Sequence, residues 1–183
     1  MNNQVSSVYS QALFDVAVEK EILIQSKDEL NLLKTLLEDN PKLRVILENP
    51  NIEKREKKDM VDVLMKDSEQ NTKNFVKVLL DNNRFDQFDN IVDQYIRRFN
   101  EKENIAPGII YSARALDKEF VAKVEATLSK KLDKKVELEN VLDESLIGGF
   151  TVKMDGKFVD NSIKGRLENL KSSLKQKRGE LWT

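Results

Sequence analysis

The sequence has neither cysteine nor histidine among its 183 residues. Without cysteine there is no disulfide, no thiolate nucleophile and no thiolate zinc site, which fits a reducing compartment. Without histidine the commonest general base and the commonest metal ligand are missing. No apolar run approaches the roughly 18 residues of a membrane-spanning helix. The opening residues Met1-Asn2-Asn3-Gln4 lack both the basic start and the apolar block of a signal peptide. Neither charge sign dominates. There are 31 basic and 32 acidic side chains, so the basic excess of a protein that lives on phosphates is absent. Only six glycines and three prolines occur, and none of the glycines lies in residues 1–105, as expected of a compact helical unit.

What is present is ample material for a core under a heavily charged surface, with 39% hydrophobic and 34% charged residues. The three prolines, at positions 41, 50 and 107, punctuate the chain. Ala106-Pro107-Gly108 is a breaker that ends a long periodic segment, so the sequence divides into residues 1–105 and 106–183. The first part carries 16 basic and 20 acidic side chains, the second 15 and 12. That asymmetry supports a boundary more than a partner. The expected fold is mainly α: an N-terminal six-helix bundle followed by a smaller α+β C-terminal domain.

Six apolar stripes mark the helices of the first part. Val5, Val8, Tyr9, Ala12, Leu13, Val16 and Ala17 recur at helical spacing. Leu30, Leu33, Leu36 and Leu37 follow, stopped at Asn40-Pro41 because a residue before proline disfavours the helical region. Leu43, Ile46 and Leu47 make a short third helix before Asn49-Pro50. Met60, Val61, Leu64 and Met65 make the fourth. Phe75, Val76, Leu79 and Leu80 make the fifth, ending at Asn82-Asn83. A sixth runs from Phe85 to Phe99. In the second part, 109–113 and 136–139 read as strands. Asp117 is an N-cap for a helix bearing Phe120, Val124, Leu128 and Leu132. Leu146 to Met154, Asp155-Gly156 and Lys157 to Val159 read as a hairpin. A last helix starts near Asp160, with Ile163, Leu167, Leu170 and Leu174 on one side.

Catalytic chemistry is hard to place in this chain. Gly148-Gly149 lacks the spacing and the following Lys-Ser/Thr of a phosphate loop. Asp155-Gly156-Lys157 is better read as a turn. Asp143 with Glu144, or Asp86 with Asp89, stands out in no way among the acids. The run Glu53 to Asp59 alternates in sign and reads as a solvated helix face with i,i+4 pairs. Lys175 to Arg178 reads as a basic helix end. No catalytic, cofactor-binding or metal-binding residue is assigned, and no cofactor is expected. The first helix is unusual: its stripe through Val5, Tyr9, Leu13 and Val16 lies opposite Phe14 and Val18. A helix apolar on two sides is either central in its bundle or carries a docking surface.

Leu142-Asp143-Glu144-Ser145-Leu146-Ile147-Gly148-Gly149-Phe150-Thr151-Val152, followed by the segment Val159 to Leu170, resembles the signature of the delta subunit of bacterial F-type ATP synthases. The mitochondrial relative of that subunit is the oligomycin-sensitivity-conferring protein. Tyr9 to Ala17 resembles the first helix of that family, Asn49-Pro50-Asn51-Ile52 the turn before its fourth, and Leu79 to Phe85 the end of its fifth. The resemblance covers nearly the whole chain. Departures are minor: Ser10 stands where the family often has alanine, and the tail from about Lys177 extends past the usual end.

The resemblance implies a stator subunit without catalysis. Residues 1–105 would bind the catalytic head and residues 106–183 the stalk. The implied partners are the alpha subunits of the head and the b subunit of the peripheral stalk. No nucleic acid is implied, and membrane contact is only indirect, at the cytoplasmic face of the cell membrane. For the alpha N-terminal helix it points to Tyr9, Ala12, Leu13 and Val16 on the first helix, with Phe75, Val76, Leu79 and Asn83 on the fifth. For the b-subunit end it points to Phe150, Ile163, Leu167 and Leu170. Two other classes compete: a free-standing adaptor for amphipathic helices, and a helical nucleic-acid-binding protein.

Overall fold

The computed structural model describes residues 2–154, 157–167 and 171. The molecule is mainly helical with a small four-stranded sheet, and it divides between Phe99 and Asn100 into two units. The division falls inside the last helix of the first unit, several residues ahead of Pro107.

The first unit contains α1 (Asn2–Glu19), α2 (Leu23–Asp39), α3 (Pro41–Glu48), α4 (Lys54–Leu64), α5 (Gln70–Asp81) and α6 (Phe88–Lys102). A 3-10 turn, Phe85–Gln87, precedes α6. Pro41 does more than stop α2: it opens α3 as the first helical residue, where its missing N–H costs nothing. Only Asn40 separates the two helices. Glu69 caps α5, its carboxylate accepting from the N–H groups of Asn71 and Thr72.

With no glycine available, helix ends that need a left-handed residue use other types. Asn83 has φ 52°; its N–H donates to the Leu80 carbonyl and that of Arg84 to the Leu79 carbonyl, closing α5 in a Schellman motif. Glu21, at φ 57°, closes α1 in the same way, with Ile22 N–H donating to the Ala17 carbonyl. Asparagine suits this conformation and glutamate does not.

One apolar cluster unites these helices, built on Leu13, Ala17, Leu30, Leu37, Val76, Leu79, Ile91 and Tyr95 among others. Polar groups fix the register. The fully buried hydroxyls of Ser26 and Thr72 lie 2.9 Å apart and join α2 to α5. Tyr95, also fully buried, donates its hydroxyl to the Leu23 carbonyl at 3.1 Å. Arg44 of α3 grips Asp89 of α6 with two hydrogen bonds, at 2.6 and 3.0 Å.

The charge run Glu53 to Asp59 is largely solvated, as expected, with one exception. Lys57 lies on the core side with Val61, only 5% exposed, its stem packed as apolar surface. Lys54 donates to the Asp81 carbonyl and Lys58 pairs with the Asp81 carboxylate. Lys54 and Lys58 therefore serve the negative end of α5.

The second unit contains β1 (Ile105–Ser112), α7 (Lys118–Leu132), β2 (Lys135–Leu142), β3 (Phe150–Met154) and β4 (Lys157–Asp160), in the sheet order β2-β1-β3-β4. β1 and β2 are parallel; β1 with β3 and β3 with β4 are antiparallel. β1 begins earlier than expected, taking in Pro107 and Gly108. Pro107 pairs with Glu137 of β2, and among the described residues the pairing with β3 starts at Gly108. Asp117 caps α7, accepting from Phe120 N–H at 2.6 Å. α7 covers one face of the sheet through Leu128, Ile110, Val136, Val152 and Met154. A helical turn follows over 163–167. Asp155-Gly156, Leu170 and Leu174 lie outside the described residues.

Two stability measurements check this reading. Burial pushes the Tyr95 phenol up from 10.0 to about 12, against a smaller opposing effect of the Ser26 hydrogen bond. A raised pKa means the stabilisation is complete below pH 10 and is lost as pH rises towards 12. The loss should amount to roughly 2–3 kcal/mol. Tyr95→Phe should abolish that part of the alkaline decline in urea titrations; an unchanged decline would refute the assignment. Glu21→Gly should raise stability by about 0.5–1 kcal/mol by removing the strain of the left-handed cap, and a lowered melting temperature would count against it.

Candidate functional site

Helix α1 has three distinct sides. Ser6, Ser10, Leu13 and Ala17 face inward and are buried. One flank meets α6: the Phe14 ring lies edge-on to Tyr95 with centroids 6.0 Å apart, and Arg98 donates to the hydroxyls of Ser7 and Ser10. The flank turned away from α6, by helical geometry, carries Val5, Val8, Tyr9, Ala12 and Val16. Val5 and Tyr9 are half-buried there, Ala12 is exposed, and Val8 and Val16 are 66% and 38% exposed. The two apolar sides visible in the sequence thus have different fates. Phe14 serves the core, and the opposite flank is left to solvent.

α5 packs beside α1 and has a matching asymmetry. Its Lys77 side is tied to Asp62 of α4 at 2.6 Å. The flank turned away from α4 carries Asn71, Phe75, Val78 and Asn82. Phe75 is 9% exposed at the margin of the core and Val78 is 44% exposed.

The residues singled out for the alpha helix therefore divide. Ala12, Val16 and Asn83 reach the surface, and Tyr9 is half-buried beside them. Leu13, Val76 and Leu79 are closed off in the core, where they form a floor rather than a contact, and Phe75 lies between the two groups. Val78 was missed, and Val8, although part of the first stripe, was passed over. Their large exposed apolar side chains are the signal, and it needs the burial of their neighbours to be read.

In the second unit, Gly148 and Gly149 stand in the corner before β3, which starts at Phe150 and not at Leu146 as the sequence suggested. Gly149 has φ 81°, and a Cβ there would meet the Asn161 carbonyl oxygen at 2.5 Å and Ser162 Cα at 2.8 Å. The pair allows two stretches of backbone to touch. Of the residues assigned to the stalk end, Phe150 packs edge-on to Phe120 at 5.5 Å. Ile163 and Leu167 are 48% and 61% exposed, and Leu170 lies outside the described residues. Sequence reasoning passed over Ile147 and Phe158, which share the lining of an open cleft of about 400 Å³ with Tyr111 and Thr151. Ile147 is 82% exposed.

Chemistry is not what either surface offers. Asp143 and Asp160 are held below the usual carboxylate range by hydrogen bonds from the hydroxyl and then the N–H of Ser145 and Ser162 respectively. Both are acceptors in local turns. Among the described residues no group of three or more acidic side chains is arranged to hold a metal ion.

Known proteins match nearly the whole chain. The family model for the ATP synthase delta (OSCP) subunit matches residues 5–174. ATP synthase subunit delta of Bacillus thuringiensis strain Al Hakam is 32% identical over 178 residues, covering 97% of this chain and 99% of that one. Its counterpart in Bacillus anthracis matches to the same extent, with 32% identity over 178 residues. A chain in the cryo-EM structure of the Toxoplasma gondii mitochondrial ATP synthase hexamer superposes with a TM-score of 0.68 at 20% identity, covering 92% of this chain and 96% of that one. That last likeness is one of fold.

The division of α1 into core and free flank has a simple test in urea denaturation. Leu13→Ala should cost about 2–5 kcal/mol. Val8→Thr and Val16→Thr should each stay within about 0.5 kcal/mol of the original chain. Similar losses for all three would mean that the flank is core.

Proposed function

Because the chain belongs to the ATP synthase delta (OSCP) subunit family, we propose that it joins the alpha subunits of a catalytic head to the b-subunit end of a stalk and resists the rotor's torque between them. As a member of that family it is a peripheral-stalk component of an F-type ATP synthase and is not itself catalytic.

The helical unit takes the N-terminal amphipathic helix of an alpha subunit along the α1 flank of Val5, Val8, Tyr9, Ala12 and Val16, beside Phe75, Val78 and Asn83 of the α5 side. The observation that supports this most is that flank. It is more apolar surface than the core of the unit uses, laid along one helix over three turns. An amphipathic helix set there would gain affinity from apolar burial, with no charge to desolvate. Small Ala12 lets a partner helix approach closely, and Tyr9 offers area with a polar tip.

The C-terminal unit meets the b-subunit end through Ile163 and Leu167; Phe150 and Leu170 belong to the same assignment. Two contacts on one chain raise the effective concentration at each, which suits a joint that must hold while the rotor turns. Among the described residues no helix is long and apolar enough to cross a membrane. The proposed location is the cytoplasmic face of the cell membrane, reached through the complex.

Purification of the tagged chain from host membranes should bring alpha and b subunits with it. Recovery of neither would contradict the reading. Ala12→Trp should weaken binding of an alpha N-terminal peptide at least about tenfold in calorimetry, with unchanged helicity. Undiminished affinity would remove Ala12 from the contact.

A further inference from the structure

The helical turn over 163–167 is held by an unusual means. No described residue after Met154 belongs to the apolar cluster between α7 and the sheet. Among the described residues, backbone and polar contacts hold this segment. Ile163 N–H donates to the Gly148 carbonyl at 3.0 Å, and Asn161 N–H donates to the Phe150 carbonyl at 3.0 Å.

Side chains tie the same segment a second time. Asp160 Oδ1 accepts from Ser162 N–H at 2.8 Å, and Ser162 Oγ accepts from Gly165 N–H at 3.0 Å, capping the turn. The Arg166 guanidinium donates twice to Asn161 Oδ1, at 3.0 and 2.7 Å. Ser162 is only 4% exposed, buried by these polar contacts. Two glycines make the arrangement possible. Gly149 lets the corner touch the Asn161-Ser162 backbone, and a Cβ on Gly165 would stand 2.5 Å from an Asp160 carboxylate oxygen.

We propose that this knot, the Gly148-Gly149 corner bound to the Asp160–Gly165 segment, is a positioning device that aims the last helix so that Ile163 and Leu167 present one apolar edge to the stalk helix. The inference rests on the stalk contact proposed above and adds what sets its direction. Gly149, Asp160, Ser162 and Gly165 act through Ile163 and Leu167 as positioning residues. Removing a knot residue leaves the cluster of Ile110, Leu128, Val136 and Val152 intact, so the sheet stays folded while the edge loses its aim.

The absence of cysteine makes the test direct, because two introduced cysteines are the only thiols to label. In the full-length chain, spin labels at Glu139→Cys on β2 and Lys164→Cys on the turn report the distance distribution between sheet and turn. Binding of the detergent-solubilised b subunit is measured on the same proteins. Asp160→Ala and Gly149→Ala should broaden the distribution and weaken b-subunit binding about tenfold, with melting of the sheet essentially unchanged. Asp160→Asn, which keeps the acceptor oxygen, should behave as the original chain in both measurements. An unbroadened distribution in Asp160→Ala, or a broadened one with unaltered b-subunit affinity, would overturn the proposal. The double substitution Ile163→Asp with Leu167→Asp separates the two readings. If it binds the b subunit normally, the stalk contact falls and the proposal with it. If it binds weakly while the knot variants bind normally, only the positioning role falls.

Discussion

A helix has a single circumference, and how α1 divides its own decides what the first unit can do. One side is given to Leu13 and Ala17 in the core, and a second to Phe14 against Tyr95 and to the serines that accept from Arg98. The remainder is a strip of valine, alanine and tyrosine that the described part of the chain covers only in part. Such a strip is tolerable because its members are small or half-buried. The interior interactions leave it apolar and partly exposed, the combination that a docking face requires.

The second unit solves a different problem. Its sheet has one face covered by α7, and no described residue after Met154 joins that core. Apolar burial is non-directional. A turn held only by burial would be free to slide, whereas hydrogen bonds to named carbonyls and a glycine contact at van der Waals limits fix an orientation. The signature around Gly148-Gly149 and Asp160 to Gly165 is thus explained by geometry alone.

Much of this was legible in the sequence. The spacing of Leu30, Leu33 and Leu37, or of Phe88, Ile91, Val92 and Tyr95, follows from the 3.6-residue period, and each proved buried. Pro41, Asn83 and Asp117 act through local backbone chemistry and could be placed without tertiary knowledge. What escaped depends on partners distant in sequence. Pro107 looked like a boundary because a strand's tolerance of proline depends on which neighbour it has there. Lys57 looked solvated because its aliphatic stem counts as apolar only once Val61 and the end of α5 are in place. The candidate docking residues were the hardest. Val76 and Val78 are two positions apart on one helix, and only the packing shows that the first is buried and the second free.

The strand order carries one more implication. β1 takes the chain out of α6 and lies in the middle of the sheet, parallel to β2 along eight paired positions from Ile105 to Ser112. A pull along the axis of β1 meets ladder bonds that run across the strand towards β3 and at a slant towards β2. They are then strained in shear and must give way together rather than peel one after another. A sheet loaded in that manner is mechanically stiff for its size. The strand that receives the chain is the one best anchored on both sides.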